Sequence, residues 1–153
     1  SDQAEEGHGA VPSDAQMPLV SVCISAYNHE AYIAEAIESV LAQTYLNVEL
    51  IVVDDASSDA TPAIVMDYAK RFPQRMRAIL LRDNEGPARA PNRAFAEARG
   101  EFIALLGSDD RMRSQRIQLQ VRFLLDNPGC VGVFSDIDAM RHTNIAVFLL
   151  QRQ

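Results

Sequence analysis

Apolar positions along this chain come in two alternating patterns: short continuous runs, and runs that recur every three or four residues. Leu19 to Ser25 is nearly continuously apolar and β-branched, which predicts a strand covered on both faces. Ile33, Ala36, Ile37, Val40 and Leu41 then fall on one helical face, with Asn28 as the expected cap and Glu30 near the positive end. Glu49 to Val53 predicts a second strand, so strand, helix and strand fill about 35 residues, the size of a right-handed parallel crossover. Downstream the alternation repeats. Thr61 is the expected cap and Pro62 the first residue of a helix carrying Ile64, Val65, Tyr68, Ala69 and Phe72, which Pro73 ends. A third strand, Arg77 to Leu81, leads to the turn-rich loop 83–87. A helix within Ala88 to Arg99 has Pro91 in its first turn and Gly100 as its expected C-cap. Phe102 to Leu106 predicts a buried fourth strand, Ser114 caps a helix facing inward with Ile117, Val121, Leu124 and Leu125, and Cys130 to Phe134 predicts a fifth strand. These elements predict an α/β fold, a three-layer α/β/α sandwich around a mostly parallel, Rossmann-like sheet.

The two ends do not continue the pattern. Residues 1–17, rich in Gly, Ala, Ser, Asp and Glu, are expected to be a disordered leader or expression remnant, leaving 18–153 as the folded domain. From His142 to Gln153 the run Ile-Ala-Val-Phe-Leu-Leu fits a sixth strand, a helix or an exposed segment, and uncovered it would favour a homo-oligomer.

Composition narrows the class. A chain of 153 residues that is 48% hydrophobic has room for one domain with a real core. The formal charge of -7 owes more than half its excess to Asp2, Glu5, Glu6 and Asp14 in the leader, so the folded part is only mildly acidic and no nucleic-acid partner is expected. Cys23 and Cys130 lie in apolar strands without metal-type spacing and are expected to be reduced thiols. No run approaches the roughly 18 apolar residues of a membrane span, and no signal-peptide pattern opens the chain, so the expected location is cytoplasmic, with the inner face of a membrane reachable through partners.

Candidate chemistry sits where strands end. Asp109 and Asp110 follow the fourth strand, and Asp54 and Asp55 end the second, all at the edge where open α/β sheets bind ligands. Adjacent carboxylates repel, so such a pair fits a cation between them or one member turned to solvent. A solvated strand-to-helix turn is the plainer account, since carboxylates are mostly exposed. Ser25-Ala26-Tyr27-Asn28 contains no glycine, which argues against a dinucleotide oxidoreductase or a P-loop enzyme.

Three blocks carry a family resemblance: PLVSVCISAYNHEAYIAEAIESVLAQTY from Pro18, ELIVVDDASSDAT from Glu49 and ARGEFIALLGSDD from Ala98. In this order and spacing the chain resembles the N-terminal, nucleotide-sugar-binding half of a family-2 glycosyltransferase with the GT-A fold, in truncated form. The resemblance implies a nucleoside-diphosphate sugar donor, UDP-linked by expectation, a bridging Mn²⁺ or Mg²⁺, and transfer of the sugar to an acceptor hydroxyl on a sugar, lipid-linked molecule or protein. It implies that Ser25 and Tyr27 border base and ribose, with Asn28 and Asp54 beside them. Asp55 accepts from the base, Asp109 lies near ribose or sugar and can share the metal, and Asp110 ligates it. Arg89 is the candidate donor contact from the loop before the third helix, although Ala90-Pro91-Asn92 stands where the family usually has Ala-Arg-Asn; Arg93 is expected to be a solvated helix residue. Gly107 stands where the metal motif often has an acidic residue. Inverting members take their general base from the second half, so Asp136 and Asp138 are the last candidates here. A non-catalytic binding domain and a metal-dependent nucleotidyltransferase remain as alternatives.

Overall fold

The computed structural model describes residues 17–130, 132–136 and 146–151, with side-chain surroundings through residue 130. Its elements are β1 (Val20–Ala26), α1 (Ile33–Leu41), β2 (Val48–Asp54), α2 (Thr61–Arg71), β3 (Met76–Leu80), α3 (Ala90–Glu97), β4 (Phe102–Gly107), α4 (Arg116–Asp126), β5 (Gly132–Asp136) and β6 (Ala146–Gln151). The six strands form one sheet in the order β3-β2-β1-β4-β6-β5. β1 to β4 are parallel, and β6 runs against both β4 and β5. The expected mostly parallel α/β sandwich is what the chain forms.

Strand alternation divides the core into two halves. Val20, Val22, Ile24 and Ala26 of β1, with Leu50 and Val52 of β2, face α1, α2 and α4 through Ile37, Val65 and Val121. Cys23, Ile51 and Val53 face the opposite way, onto Ala90, Ala94 and Ala98 at α3. Small residues let that helix lie close to the sheet. β1, β2 and β3 step outward with α1 and α2 on one face, then the chain returns across the sheet to β4 with α3 on the other. The direction therefore reverses between β1 and β4, the point where such sheets open a ligand crevice.

Several local expectations change. α1 begins after Tyr32 with no side-chain cap; Asn28 stands four residues earlier with φ 52°. Thr61 is the first residue of α2 rather than its cap, and α4 begins after Gln115, not Ser114. Leu125 is 51% exposed, because eight residues past Ile117 is about 80° around the helix. Gly100 does not cap α3, whose C-cap is Ala98. A Cβ at Gly100 would lie 2.6 Å from the Ser21 nitrogen, so the absent side chain serves close approach to β1. β5 starts two residues later than expected, and the C-terminal apolar run becomes β6, placed inside the sheet between β4 and β5.

Candidate functional site

Register sets the site. Ala26 lies opposite Asp54, and Ser25 lies opposite both Val53 and Gly107, so β1, β2 and β4 finish at one level. The residues that follow form a common rim. Ser25 is half-buried there, and Tyr27 is 50% exposed.

The loops after β1 and β2 are laced together. The Asn28 and Glu30 N–H groups donate to Ser57 Oγ (2.9 Å) and Asp59 Oδ2 (3.1 Å). In return the Ser58 and Ala60 N–H groups donate to Asn28 Oδ1 (2.8 Å) and Glu30 Oε2 (2.9 Å). Asp54 is 1% exposed and fully engaged at home: its carboxylate accepts from the Ser57 N–H (3.0 Å) and hydroxyl (2.6 Å). Asn28 and Asp54 thus reach the rim with their side-chain oxygens already bonded within the protein.

Asp55 reaches the other way. Its two oxygens accept the Glu85 N–H (2.7 Å) and the Gly86 N–H (3.0 Å), and its carbonyl accepts from Asn84 Nδ2 (3.2 Å). Gly86, at φ +89°, turns the loop so that two successive N–H groups face one carboxylate. Glu85 in turn holds Arg93 through two bonds, of 3.0 and 2.7 Å, so Arg93 is paired rather than merely solvated. Leu80, Leu81, Arg82, Asp83, Glu85 and Arg93 line a cleft of about 290 Å³ beside this loop. Arg89 is exposed at the start of α3.

The turn after β4 differs. Asp110 is 1% exposed, its N–H closes the turn onto the Gly107 carbonyl (3.1 Å), and its Oδ2 has no hydrogen-bond partner. A Cβ on Gly107 would lie 2.4 Å from that oxygen and 3.2 Å from Asp109 Oδ1. The Asp110 carboxyl folds back over Gly107 and occupies the space that a side chain there would need. Burial, and then the neighbouring Asp109 charge, push the Asp110 carboxyl up to about 6, while His29 opposes the rise. Two residues that sequence reasoning passed over meet here: His29 Nδ1 and Ser108 Oγ are 2.5 Å apart. No spacing signal links residues so far apart, although both lie inside the resembling blocks.

Residues 21–146 match the family model described as glycosyl transferase family 2. The chain belongs to glycosyl transferase family 2. It is 44% identical over 110 residues to the succinoglycan biosynthesis protein ExoO of Rhizobium meliloti, covering 72% of this chain and 31% of that one. It is 36% identical over 123 residues to a Bacillus subtilis chain provisionally named teichuronic acid biosynthesis glycosyltransferase TuaG, covering 80% and 48%. The chain thus spans less than half the length of these relatives. Among solved structures it is similar to a Pyrobaculum calidifontis mannosyltransferase in complex with GDP-Man and Mn²⁺, with TM-score 0.76, 23% identity and coverage of 93% and 47%. It is also similar to Staphylococcus aureus TarS in complex with UDP, with TM-score 0.72, 28% identity and coverage of 83% and 38%.

In this family 2 domain, then, Ser25, Tyr27, Asn28, Asp54, Asp55, Asp109 and Asp110 all lie at one rim, with Arg89 at the start of α3. Asp136 ends β5, where no side-chain position is described, and Asp138 lies outside the described residues. Among the described residues no three His, Cys, Asp or Glu side chains form a metal cage. Two carboxylates with one unpartnered, buried oxygen suit a hard cation that draws its remaining oxygens from phosphate and water. No described helix is long and apolar enough to cross a membrane.

Proposed function

We propose that this family 2 domain binds a nucleoside-diphosphate sugar, UDP-linked, at the rim between β1 and β4 for transfer of the sugar to an acceptor hydroxyl. The observation that carries the reading is Asp110 Oδ2, buried at the strand end beside Asp109 and without a partner. Asp110 and Asp109 would hold Mn²⁺ or Mg²⁺, which when bound supplies Lewis-acid stabilisation of the leaving diphosphate. Tyr27, half exposed above the end of β1, offers a ring face to the base. Asp55 keeps lone pairs on its carboxylate beyond those used by Glu85 and Gly86, enough to accept a uracil N–H. Arg89 supplies positive charge near the phosphates, while Ser25, Asn28 and Asp54 shape the floor. The inverting outcome, the acceptor and a base role for Asp136 or Asp138 belong to the same proposal, because the chain spans under half of its relatives.

Calorimetry of UDP and UDP-sugars with and without Mn²⁺ tests it. The expected result is binding that requires the metal, is lost in Asp110→Ala, and weakens more for uridine than for other bases in Asp55→Ala. Equal binding in EDTA would defeat the metal role. Tight binding with neither hydrolysis nor transfer would favour a non-catalytic nucleotide-binding module.

A further inference from the structure

The acidic turn after β4 carries its own strain. Asp109 and Asp110 are adjacent like charges, and the Asp110 carboxyl is packed against Gly107 with one oxygen unsatisfied. Within the turn the bond from the Asp110 N–H to the Gly107 carbonyl closes the backbone. A second restraint comes from 79 residues away. Ser108, 3% exposed in the middle of the turn, has its hydroxyl 2.5 Å from His29 Nδ1.

His29 is itself fixed from several sides. Its N–H donates to Thr61 Oγ1 at 3.1 Å, and Thr61 is fully buried at the start of α2. Its carbonyl accepts the Tyr32 and Ile33 N–H groups at 3.0 and 2.9 Å, which starts α1. Its ring meets Tyr32 edge-on, with centroids 6.2 Å apart. On either side Asn28 and Glu30 are laced to the β2–α2 loop. The imidazole thus projects from a frame anchored to β1, α1 and α2, and its polar atom meets the one hydroxyl of the β4 turn.

We infer that His29 is a positioning residue for the acidic turn, acting through Ser108 to hold Asp109 and Asp110 in their cation-binding arrangement. This rests on the reading of that turn as the diphosphate-cation site. His29 hydrogen-bonds to neither carboxylate; apart from its electrostatic pull on the Asp110 carboxyl, its hold on the turn runs through the Ser108 hydroxyl and is reproduced by removing that hydroxyl. An Asn side chain places an amide close to where Nδ1 stands and can restore the bond.

Two measurements on the full chain test this, with every variant first shown folded by circular dichroism. In the ligand-free protein, exchange of the Asp110 amide is expected to speed up about tenfold in His29→Ala and in Ser108→Ala, no further in the double variant, and to recover in His29→Asn. With UDP present, Mn²⁺ affinity is expected to fall about tenfold in the same variants and to recover in the same rescue, the size usual for a group that orients a metal ligand. Additive losses, or a His29→Asn variant as weak as His29→Ala, overturn the inference. If the wild-type chain binds no UDP with Mn²⁺, the proposed function fails, while the exchange experiment still decides whether His29 holds the turn.

Discussion

Replacing Asp110 with Asn should stabilise the ligand-free protein while removing its hold on a cation. The carboxyl is 1% exposed with Oδ2 unpartnered, and burial followed by the Asp109 charge raises its pKa from 3.8 to about 6. The folded state thus binds this proton more tightly than the unfolded chain does. Stability contributed here is present below about pH 4, declines as the pH rises through about 6, and stays lost above. A shift of about two units at about 1.4 kcal/mol each is roughly 3 kcal/mol, and screening at an open rim trims this to about 1–2 kcal/mol. For a domain of this size about 1 kcal/mol moves the melting temperature by about 2–4 °C. Scanning calorimetry in EDTA at pH 8 should therefore find Asp110→Asn melting about 3–6 °C above wild type, with the gap narrowing toward pH 4. Mn²⁺ and UDP should reverse the order, since ligand at about 100 times its Kd adds about 2.7 kcal/mol to the protein that binds it. Equal or lower melting of the variant at pH 8, with no dependence of the gap on pH, would refute the account of a strained, ligand-ready carboxylate.

Three further outcomes follow from the same rim. Asp55→Asn turns an amide N–H₂ toward the Glu85 or Gly86 N–H and should destabilise by about 2 kcal/mol in urea unfolding, with faster exchange of both amides; protected amides would show that the loop is held elsewhere. Ala56, at φ 58°, occupies the left-handed region that only glycine enters freely, so Ala56→Gly should raise stability by about 1 kcal/mol; a lower urea midpoint counts against strain there. Gly107→Ala puts a methyl group 2.4 Å from Asp110 Oδ2 and should cut Mn²⁺-dependent UDP affinity at least about tenfold while the circular dichroism spectrum is kept; unchanged affinity would mean that Asp110 does not need its folded-back position.

The strands and the inward faces of the helices were legible because each is written in its own residues. Val20, Val22 and Ile24 face one way while Cys23 faces the other, and both environments are apolar, so the run reads as continuous. Pro62 and Pro91 marked the first turns of α2 and α3, but the helix caps were not legible, because groups that satisfy the first turns come from elsewhere in the chain. Gln43 Oε1 accepts the Ile117 N–H at the start of α4, and Glu30 accepts the Ala60 N–H before α2. Asn28, Thr61 and Ser114 have the composition of caps, but the first two are bonded across to another loop. The place of the last strand was hidden for a related reason. Its apolar run fits any covered position, and only pairing with Phe102 to Ala104 on one side and Gly132 to Asp136 on the other makes it internal and reversed.

The acidic residues at the rim show what sequence could and could not say about the site. Sequence alone places Asp54-Asp55 and Asp109-Asp110 at one sheet edge, with Asp59 in the polar turn after the second strand, and does not tell their roles apart. Hydrogen bonding sorts them. Asp54 is bonded to Ser57, Asp59 to Glu30 and Thr61 N–H groups, and Asp55 to Glu85 and Gly86. Each of these stabilises a loop, and a carboxylate bonded to backbone N–H groups has much of its charge compensated before a ligand arrives. Among the described residues Asp110 alone of the buried carboxylates keeps an oxygen without a partner, and it does so beside a second acid, the combination that raises its pKa and that a divalent ion would relieve. Sequence locates the acidic rim, but telling the carboxylates already bonded within the loops from the one with a free oxygen requires their donors, which for Asp55 and in part for Asp59 lie about 30 residues away.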